Sequence, residues 1–284
     1  MNLRIALAQI DPALGDLHKN VTLHVEMARE AVGRGAGLVV FPELSLTGYS
    51  VKDMNLGLAL RPDNPPPVLT PLLEASNKIT ILAGGIEEDT SFRIYNSAFL
   101  FENGSMRSAH RKVYPPTYGM FEELRYFSPG DSVRVVRTQH GTFGVLICED
   151  LWHLPLPYLL AQQGADVLIA MVASPTRLTG PGGALGVADT NGENHRAYAR
   201  LLSCYLAFCN RTGFEDGLNF WGASALIGPD GSVVAQGKQF EDDLIVADIS
   251  DNELRRARQS SRHFLDDDPR LVLRELRRVI GGHF

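Results

Sequence analysis

Cysteine is scarce in this sequence and unpaired: Cys148, Cys204 and Cys209 form an odd set of three with no Cys-x-x-Cys spacing. That excludes a disulfide framework and a four-cysteine zinc site, and it fits a reducing compartment. Long apolar runs are missing as well. The run over residues 1–10 is broken by Arg4 and followed at once by Asp11 and Pro12, too short and too polar for a signal peptide or for the ~20 residues of a membrane span. A soluble, cytoplasmic protein is expected. Positive charge is not in excess either: 27 Lys+Arg against 33 Asp+Glu leave a net charge of −6, which provides no electrostatic footprint for nucleic acid. His110, His140, His153 and His195 stand apart with no metal-ligand spacing, so no metal is expected. The densest glycine cluster, Gly180-Pro181-Gly182-Gly183, lacks both a preceding Gly-x-Gly and a following Lys-Ser/Thr, and reads as a flexible loop instead of a phosphate cradle.

What the chain does have is globular composition. Its 284 residues, 44% hydrophobic and 21% charged, suffice for a sizeable core and exclude a disordered, collagen-like or coiled-coil chain. Short apolar or β-branched runs bounded by Gly, Pro and Asp recur at 3–9, 37–41, 80–84, 95–102, 133–137, 144–148, 165–172, 224–228, 232–236 and 244–249, the signature of strands. Helical spacing lies between several of them, in Leu17, Val21, Val25, Ala28 and Val32, and in Ala197, Leu201, Leu202, Tyr205 and Leu206. Asn103-Gly104 and Asp230-Gly231 separate strand candidates, as tight hairpin turns with positive φ at both central residues require. Helix-connected strands mixed with hairpins predict an α/β protein with one or two mixed sheets covered by helices. The four prolines in 61–67 mark an exposed loop without a domain boundary, and the pattern after 252 predicts two charged helices separated by an acidic break at 266–268.

A reactive residue type stands where each of three strands ends. The run Leu38-Val39-Val40-Phe41 leads into Pro42-Glu43, the strand after Asn103-Gly104 leads through His110 and Arg111 into Lys112, and Val145-Leu146-Ile147 leads into Cys148, Glu149 and Asp150. Singly, each has an ordinary explanation: a solvated loop carboxylate, a surface charge, a small core residue. Together they place a thiol, a carboxylate and an amine at the rim of a sheet, where reactants have access. A thiol attacks as thiolate, a carboxylate can take its proton, and an ammonium with a backbone N–H can hold an oxyanion. Acyl transfer from a carbon–nitrogen bond uses all three.

Further motifs extend this pattern: Ala6-Leu7-Ala8-Gln9, Phe41-Pro42-Glu43-Leu44 with Thr47-Gly48-Tyr49, Lys112-Val113-Tyr114, Phe127-Ser128-Pro129-Gly130, residues 144–150, and Phe220-Trp221-Gly222-Ala223-Ser224 with Gly228-Pro229-Asp230-Gly231. In order and spacing they resemble the nitrilase, or carbon–nitrogen hydrolase, superfamily over most of the chain. The resemblance implies a four-layer α-β-β-α sandwich over residues 1–250 that pairs with a second subunit of a homo-oligomer through its outer helices; the charged helical extension over 251–284 reads either as packing on a neighbouring subunit or as solvated helix. It implies Glu43 as general base and acid, Lys112 as stabiliser of tetrahedral intermediates, Cys148 as the residue that forms a thioester, and no cofactor. A second carboxylate that orients the lysine is common in the family; spacing to Phe127 and Gly130 selects Glu123, with Glu122 as runner-up.

Within the superfamily, Lys112-Val113-Tyr114-Pro115-Pro116-Thr117-Tyr118-Gly119-Met120-Phe121-Glu122-Glu123, Arg125-Tyr126-Phe127 and Cys148-Glu149-Asp150-Leu151-Trp152 resemble the glutamine-hydrolysing domain of glutamine-dependent NAD synthetases. Nitrile hydrolases place Trp directly after the cysteine. By that resemblance Tyr49, Tyr118, Phe121 and Glu149 line the pocket, Glu149 holds an α-amino group, and Ser174-Pro175 contacts substrate; Trp152 is read as packing. Two departures stand out. The branch has a Gly and then a basic residue shortly after Ser-Pro, where this chain has Thr179 and Gly180, with Arg177 as the substitute cation. No synthetase domain or Ser-Gly-Gly phosphate loop follows, so ATP binding is not expected. The readings carried forward are a cysteine amidase, a glutaminase subunit serving a separate synthetase, a nitrile or N-carbamoyl hydrolase, and a non-catalytic assembly subunit.

Overall fold

Alternation along the strands decides the layering. In Asn2–Gln9 (β1) the side chains of Leu3, Ile5 and Leu7 enter one apolar cluster and those of Ala6 and Ala8 another, as the two-residue period of a strand buried on both faces demands. The computed structural model describes residues 2–176 and 186–282. After β1 come α1 (Leu17–Gly33), β2 (Leu38–Val40), α2 (Asn55–Leu58), α3 (Thr70–Ala75), β3 (Thr80–Glu88), β4 (Ile94–Glu102) and β5 (Ser105–Arg111). There follow β6 (Val136–Thr138), β7 (Gly141–Ile147), α4 (Pro155–Gln162), β8 (Val167–Val172), α5 (Gly186–Leu201) and β9 (Tyr205–Asn210). The chain closes with β10 (Thr212–Glu215), β11 (Leu218–Trp221), β12 (Ala225–Ile227), β13 (Val233–Gln236), β14 (Asp243–Ser250), α6 (Asp251–Ser260) and α7 (Pro269–Ile280).

The strands form two six-stranded sheets, ordered β14-β1-β2-β3-β4-β5 and β13-β12-β9-β8-β7-β6. Each has a parallel centre (β1-β2-β3 and β7-β8-β9) with antiparallel strands on both flanks. Leu38, Val40 and Leu82 of the first sheet pack face to face with Val145, Ile147, Val167, Ile169 and Met171 of the second. The outer face of the first sheet is covered by α1 and α3 through Val21, Val25, Ala28 and Leu72, and that of the second by α4 and α5 through Leu156, Leu160 and Ala199. The result is the expected α-β-β-α sandwich. Parallel centres send the ends of β1, β2, β7, β8 and β9 the same way within their sheets, so loops with chemistry collect at one rim.

Local details fit the sequence with some corrections. Asn103 and Gly104 both have positive φ (52° and 72°) in the β4–β5 hairpin, whereas at the β12–β13 turn only Gly231 does (83°), so Asp230 is not in the left-handed region. Helical spacing carried the reading of α5 too far: the helix ends at Leu201, the chain turns at Ser203 (φ 48°), and Tyr205 and Leu206 belong to β9. Buried Cys204 therefore sits in that turn, ahead of the strand, and Cys209 lies within β9. Strands β10 and β11 had no clear periodic signal in Thr212–Glu215 and Leu218–Trp221 and form a separate hairpin. No helix among the described residues is long and apolar enough to cross a membrane.

Helix α1 steadies the rim. Asp16 caps it, its Oδ1 accepting from Lys19 N at 3.0 Å. Asn20 Nδ2 donates to the carbonyls of Ala13 (2.8 Å) and Leu46 (3.0 Å), and the buried His24 ring stacks on Phe41 and meets Ser45 Oγ at 2.9 Å. Burial pushes the His24 imidazole down to about 4, and that of His195, on α5, down to about 3. Unfolded, both take a proton near 6.5, so between that value and about 4 the unfolded chain binds more protons and stability drains away as the pH falls. Glu123, raised by burial to about 7, works in the opposite sense between 4.5 and 7, but one carboxyl is outweighed by two imidazoles. The melting temperature is therefore expected to fall by about 5 °C between pH 7.5 and 4.5, and by less in a His195→Gln variant, as followed by calorimetry.

Candidate active site

Glu43 follows β2 because Pro42 has no N–H with which to continue the ladder. The chain then turns tightly, with Leu44 at φ 50° and Gly48 at φ 82°, and is stitched to β3 by Leu46 N donating to the Gly84 carbonyl at 2.9 Å. Gly84 has no alternative here: a Cβ on it would lie 2.4 Å from Leu44 N and 2.5 Å from Pro42 O. The Glu43 carboxylate is buried. Its Oε1 accepts from Lys112 Nζ at 2.7 Å and from Asn96 Nδ2 at 2.8 Å, and its Oε2 from Ala173 N at 3.0 Å, at the end of β8.

Lys112 leaves β5 with its backbone held on both sides, donating to Asn96 O at 2.9 Å and accepting from Gly130 N at 2.7 Å. Its ammonium has no water contact to lose further; besides Glu43 it meets both oxygens of Glu123 at 2.8 Å. Burial pulls the Lys112 ammonium down, but Glu123 and Glu43 outweigh it and hold the group well above the ordinary lysine value. Burial raises Glu123 to about 7, with Lys112 pulling it down and Glu43 pushing it up. Glu123 opens a short 3-10 turn and donates its N–H to Pro116 O at 2.9 Å, and its Oε1 also accepts from Tyr49 OH at 2.7 Å. Glu122 is exposed, so of the two candidates it is Glu123 that meets the lysine.

Cys148 begins the 3-10 turn Cys148–Trp152 after β7, with a left-handed φ of 46°. For a residue with a Cβ that conformation costs roughly 1–2 kcal/mol. Burial, and then the charge of Glu43, push the thiol well above its ordinary range; Lys112 and the N–H of Ala173 pull the other way. The Ala173 N–H that donates to Glu43 thus also lies close enough to the Cys148 thiol to influence it.

A cavity of about 60 Å³ opens on Cys148, lined among others by Tyr118, Phe121, Glu149 and Ser174, the residues expected there. Tyr118 OH donates to Glu149 Oε2 at 2.8 Å, and Ser174 Oγ accepts from Trp221 Nε1 at 3.0 Å, which leaves the serine proton to be donated elsewhere. Tyr49 is not in this lining. Its hydroxyl is spent on Glu123, and its ring borders a second cavity of about 320 Å³ shared with Phe121 and Glu123. Its backbone is fixed by Glu215, which accepts from Tyr49 N at 2.9 Å and pairs with buried Arg211 at 2.6 Å. Trp152, read as packing, lies at the cavity mouth about half exposed. Asn191 and His195 also line the cavity and were not anticipated; nor was Asn96, whose only sequence signal is an amide inside an apolar strand. Arg177, Thr179, Gly180 and the glycine cluster after them lie outside the described residues. Among the described residues no group of three or more His, Cys, Asp or Glu is gathered as metal ligands would be.

Comparison with known proteins bears on this geometry. The family profile described as carbon-nitrogen hydrolase matches residues 4–259. A glutamine-dependent NAD(+) synthetase of Thermotoga maritima is 35% identical over 254 residues, covering 88% of this chain and 42% of its own length. The structure of a glutamine-dependent NAD+ synthetase from Acinetobacter baumannii superposes with a TM-score of 0.77 at 28% identity, over 89% of this chain and 47% of that one. A carbon-nitrogen hydrolase from Helicobacter pylori shares the fold along nearly its whole length, with a TM-score of 0.84 at 22% identity over 98% and 99% of the two chains. The chain thus spans about half the length of the synthetases it matches.

The close approach at Gly84 gives a direct test of how the Glu43 loop is held. Gly84→Ala is expected to cost about 1–3 kcal/mol of stability, as overpacking against backbone does, with loss of catalytic rate beyond the loss of folded protein; denaturant melts and rates normalised to folded enzyme separate the two.

Proposed function

The chain belongs to the carbon–nitrogen hydrolase family, and on that premise we propose that it is a cysteine amidase using Glu43, Lys112 and Cys148, with Glu123 as the second carboxylate. The observation that carries this reading is the buried ammonium of Lys112, bonded to Glu43 and Glu123 beside the Cys148 thiol.

In the proposed reaction a substrate amide enters the Cys148 cavity. The sulfur bonds to the amide carbon as its proton passes to Glu43. The carbonyl oxygen becomes an oxyanion held by Lys112 and a backbone N–H near Cys148. All three ammonium protons of Lys112 face carboxylates at rest, so one of the two bonds to Glu123 is the one given up to the oxyanion. The carbon–nitrogen bond breaks, ammonia leaves with the proton from Glu43, and a thioester remains. Water then gives a proton to Glu43 and attacks the thioester carbon, and the carboxylic acid departs as the sulfur recovers its proton. The scheme calls on no metal or organic cofactor.

Glu149, with Tyr118 donating to it, gives the cavity an anionic wall suited to an amino group on the substrate, and Ser174 offers a hydroxyl proton. A second reading, a glutaminase subunit that passes ammonia to a separate synthetase, is favoured by relatives that are glutamine-dependent NAD synthetases, of which this chain spans about half. We also propose a cytoplasmic location, consistent with three free cysteines, and a homo-oligomer joined through the extension over 251–284. Helix α7 has no buried residue and exposes Leu271, Leu273, Leu276, Val279 and Ile280, next to an apolar groove of about 500 Å³ that includes Leu154, Leu159, Leu201 and Phe264.

Ammonia release from a panel of glutamine, asparagine, short aliphatic amides and carbamoyl amines tests the activity. Cys148→Ala is expected to lower the rate by more than about 10³-fold with an unchanged melt, and an acyl adduct on Cys148 should appear by mass spectrometry after a quench; wild-type turnover in that variant would sink the scheme. Glutamine as best substrate, with a sharp rise on adding a synthetase, would select the second reading. In sedimentation, the full chain should run as a dimer or larger, and a chain lacking 269–284 as a smaller species.

A further inference from the structure

Asp150 is a buried acid that the proposed chemistry does not use. Asp150 is fully buried, and its carboxylate is ringed by donors. Oδ1 accepts from Val113 N and Tyr114 N, both at 3.0 Å; Oδ2 accepts from Ile147 N at 3.1 Å and lies 2.8 Å from His110 Nε2. These partners bracket the two residues of interest. His110 stands two positions before Lys112 and Val113 directly after it, while Ile147 directly precedes Cys148.

The bonds also cross between layers. Lys112 follows β5, at the edge of the first sheet, and its own backbone is tied within that half by Asn96 and Gly130. Cys148 follows β7 of the second sheet. Within the Cys148–Trp152 turn, Asp150 reaches back to the N–H of Ile147, which helps to pin the left-handed backbone of Cys148. With its other oxygen it takes hold of the chain just past Lys112. Buried charge is costly unless donors compensate it, so an acid in this position is suited to fixing two segments at one separation.

We infer that Asp150 is a positioning residue that sets the offset between the Lys112 ammonium and the Cys148 thiol, acting through both without touching substrate. The inference rests on the amidase reading above. It separates Asp150 from its neighbour Glu149, which lines the cavity, by role as well as by direction.

Asp150→Asn keeps the volume but spoils the device, because both carboxylate oxygens face donors and an amide must turn its NH₂ toward one pair whichever way it flips. The expected result is a folded protein whose kcat falls by about 10²-fold while KM stays within about threefold, as when an oxyanion donor is misplaced, with a limb of the kcat/KM pH profile moved by about half a unit or more. His110→Phe should lose kcat in the same direction, and His110→Gln, which keeps a donor, should recover most of it. A folded Asp150→Asn protein with kcat within about threefold of wild type would overturn the inference, as would one with a lowered melt whose remaining activity keeps the wild-type pH profile. If Asp150→Asn does not fold, the His110 pair decides: loss in Phe and recovery in Gln support the role, and two variants like wild type refute it. Cys148→Ala in the same assay keeps the readings apart, since turnover there would remove the amidase reading itself, whereas its absence with an innocuous Asp150→Asn would remove only this inference.

Discussion

A lysine ammonium with no water around it is the constraint from which the rim of this protein is built. Lys112 can remain charged in the interior only with anions at hydrogen-bond distance, and it has two, Glu43 and Glu123. Each of those carboxylates creates a demand of its own. Glu43 takes Asn96 and the backbone of Ala173, and Glu123 takes the hydroxyl of Tyr49, whose main chain is in turn fixed by Glu215 and Arg211. One buried charge therefore fixes the ends of β2, β5 and β8, and a loop secured from β10, in a single arrangement.

The two sheets make that convergence possible. Each repeats a parallel centre flanked by antiparallel strands, and stacking them face to face sets two groups of strand ends side by side. Glu43 follows a strand of one sheet and Cys148 a strand of the other, and Ala173 N, at the end of β8 in the second sheet, donates to Glu43 across the interface. The apolar core between the sheets thus holds the separation of reactive groups that are not bonded to one another along the chain.

Much of this was legible in the sequence, for physical reasons that also explain where reading stopped. Strands buried on both faces are written as runs of Val, Ile and Leu, and a Glu, Lys or Cys at the end of such a run is conspicuous because it contradicts its surroundings. Glu123 was accessible through spacing and resemblance, and its preference over Glu122 follows from which of the two points inward. Tyr49 borders the larger neighbouring cavity instead of the one at Cys148 because its ring and its hydroxyl face different neighbours, a matter of loop geometry. Asn96 and Asp150 declare themselves only by their partners, distant in the chain. The α5–β9 boundary was misread because Ala197, Leu201 and Leu202 continue in helical step into Tyr205 and Leu206, while the turn that interrupts them rests on the φ of Ser203.

Ala173 is the least conspicuous member of the site, a small residue whose side chain does nothing in it. Its contribution is an N–H, and a main-chain group is carried by nineteen of the twenty amino acids. Drift at this position can change size and polarity without deleting the donor, and only proline would erase it. The junction between Glu43 and the end of β8 is thereby insulated from most mutational change. Its inheritance depends on the course of the backbone out of β8, and comparison of letters at position 173 between related proteins would give no sign that anything there is being preserved.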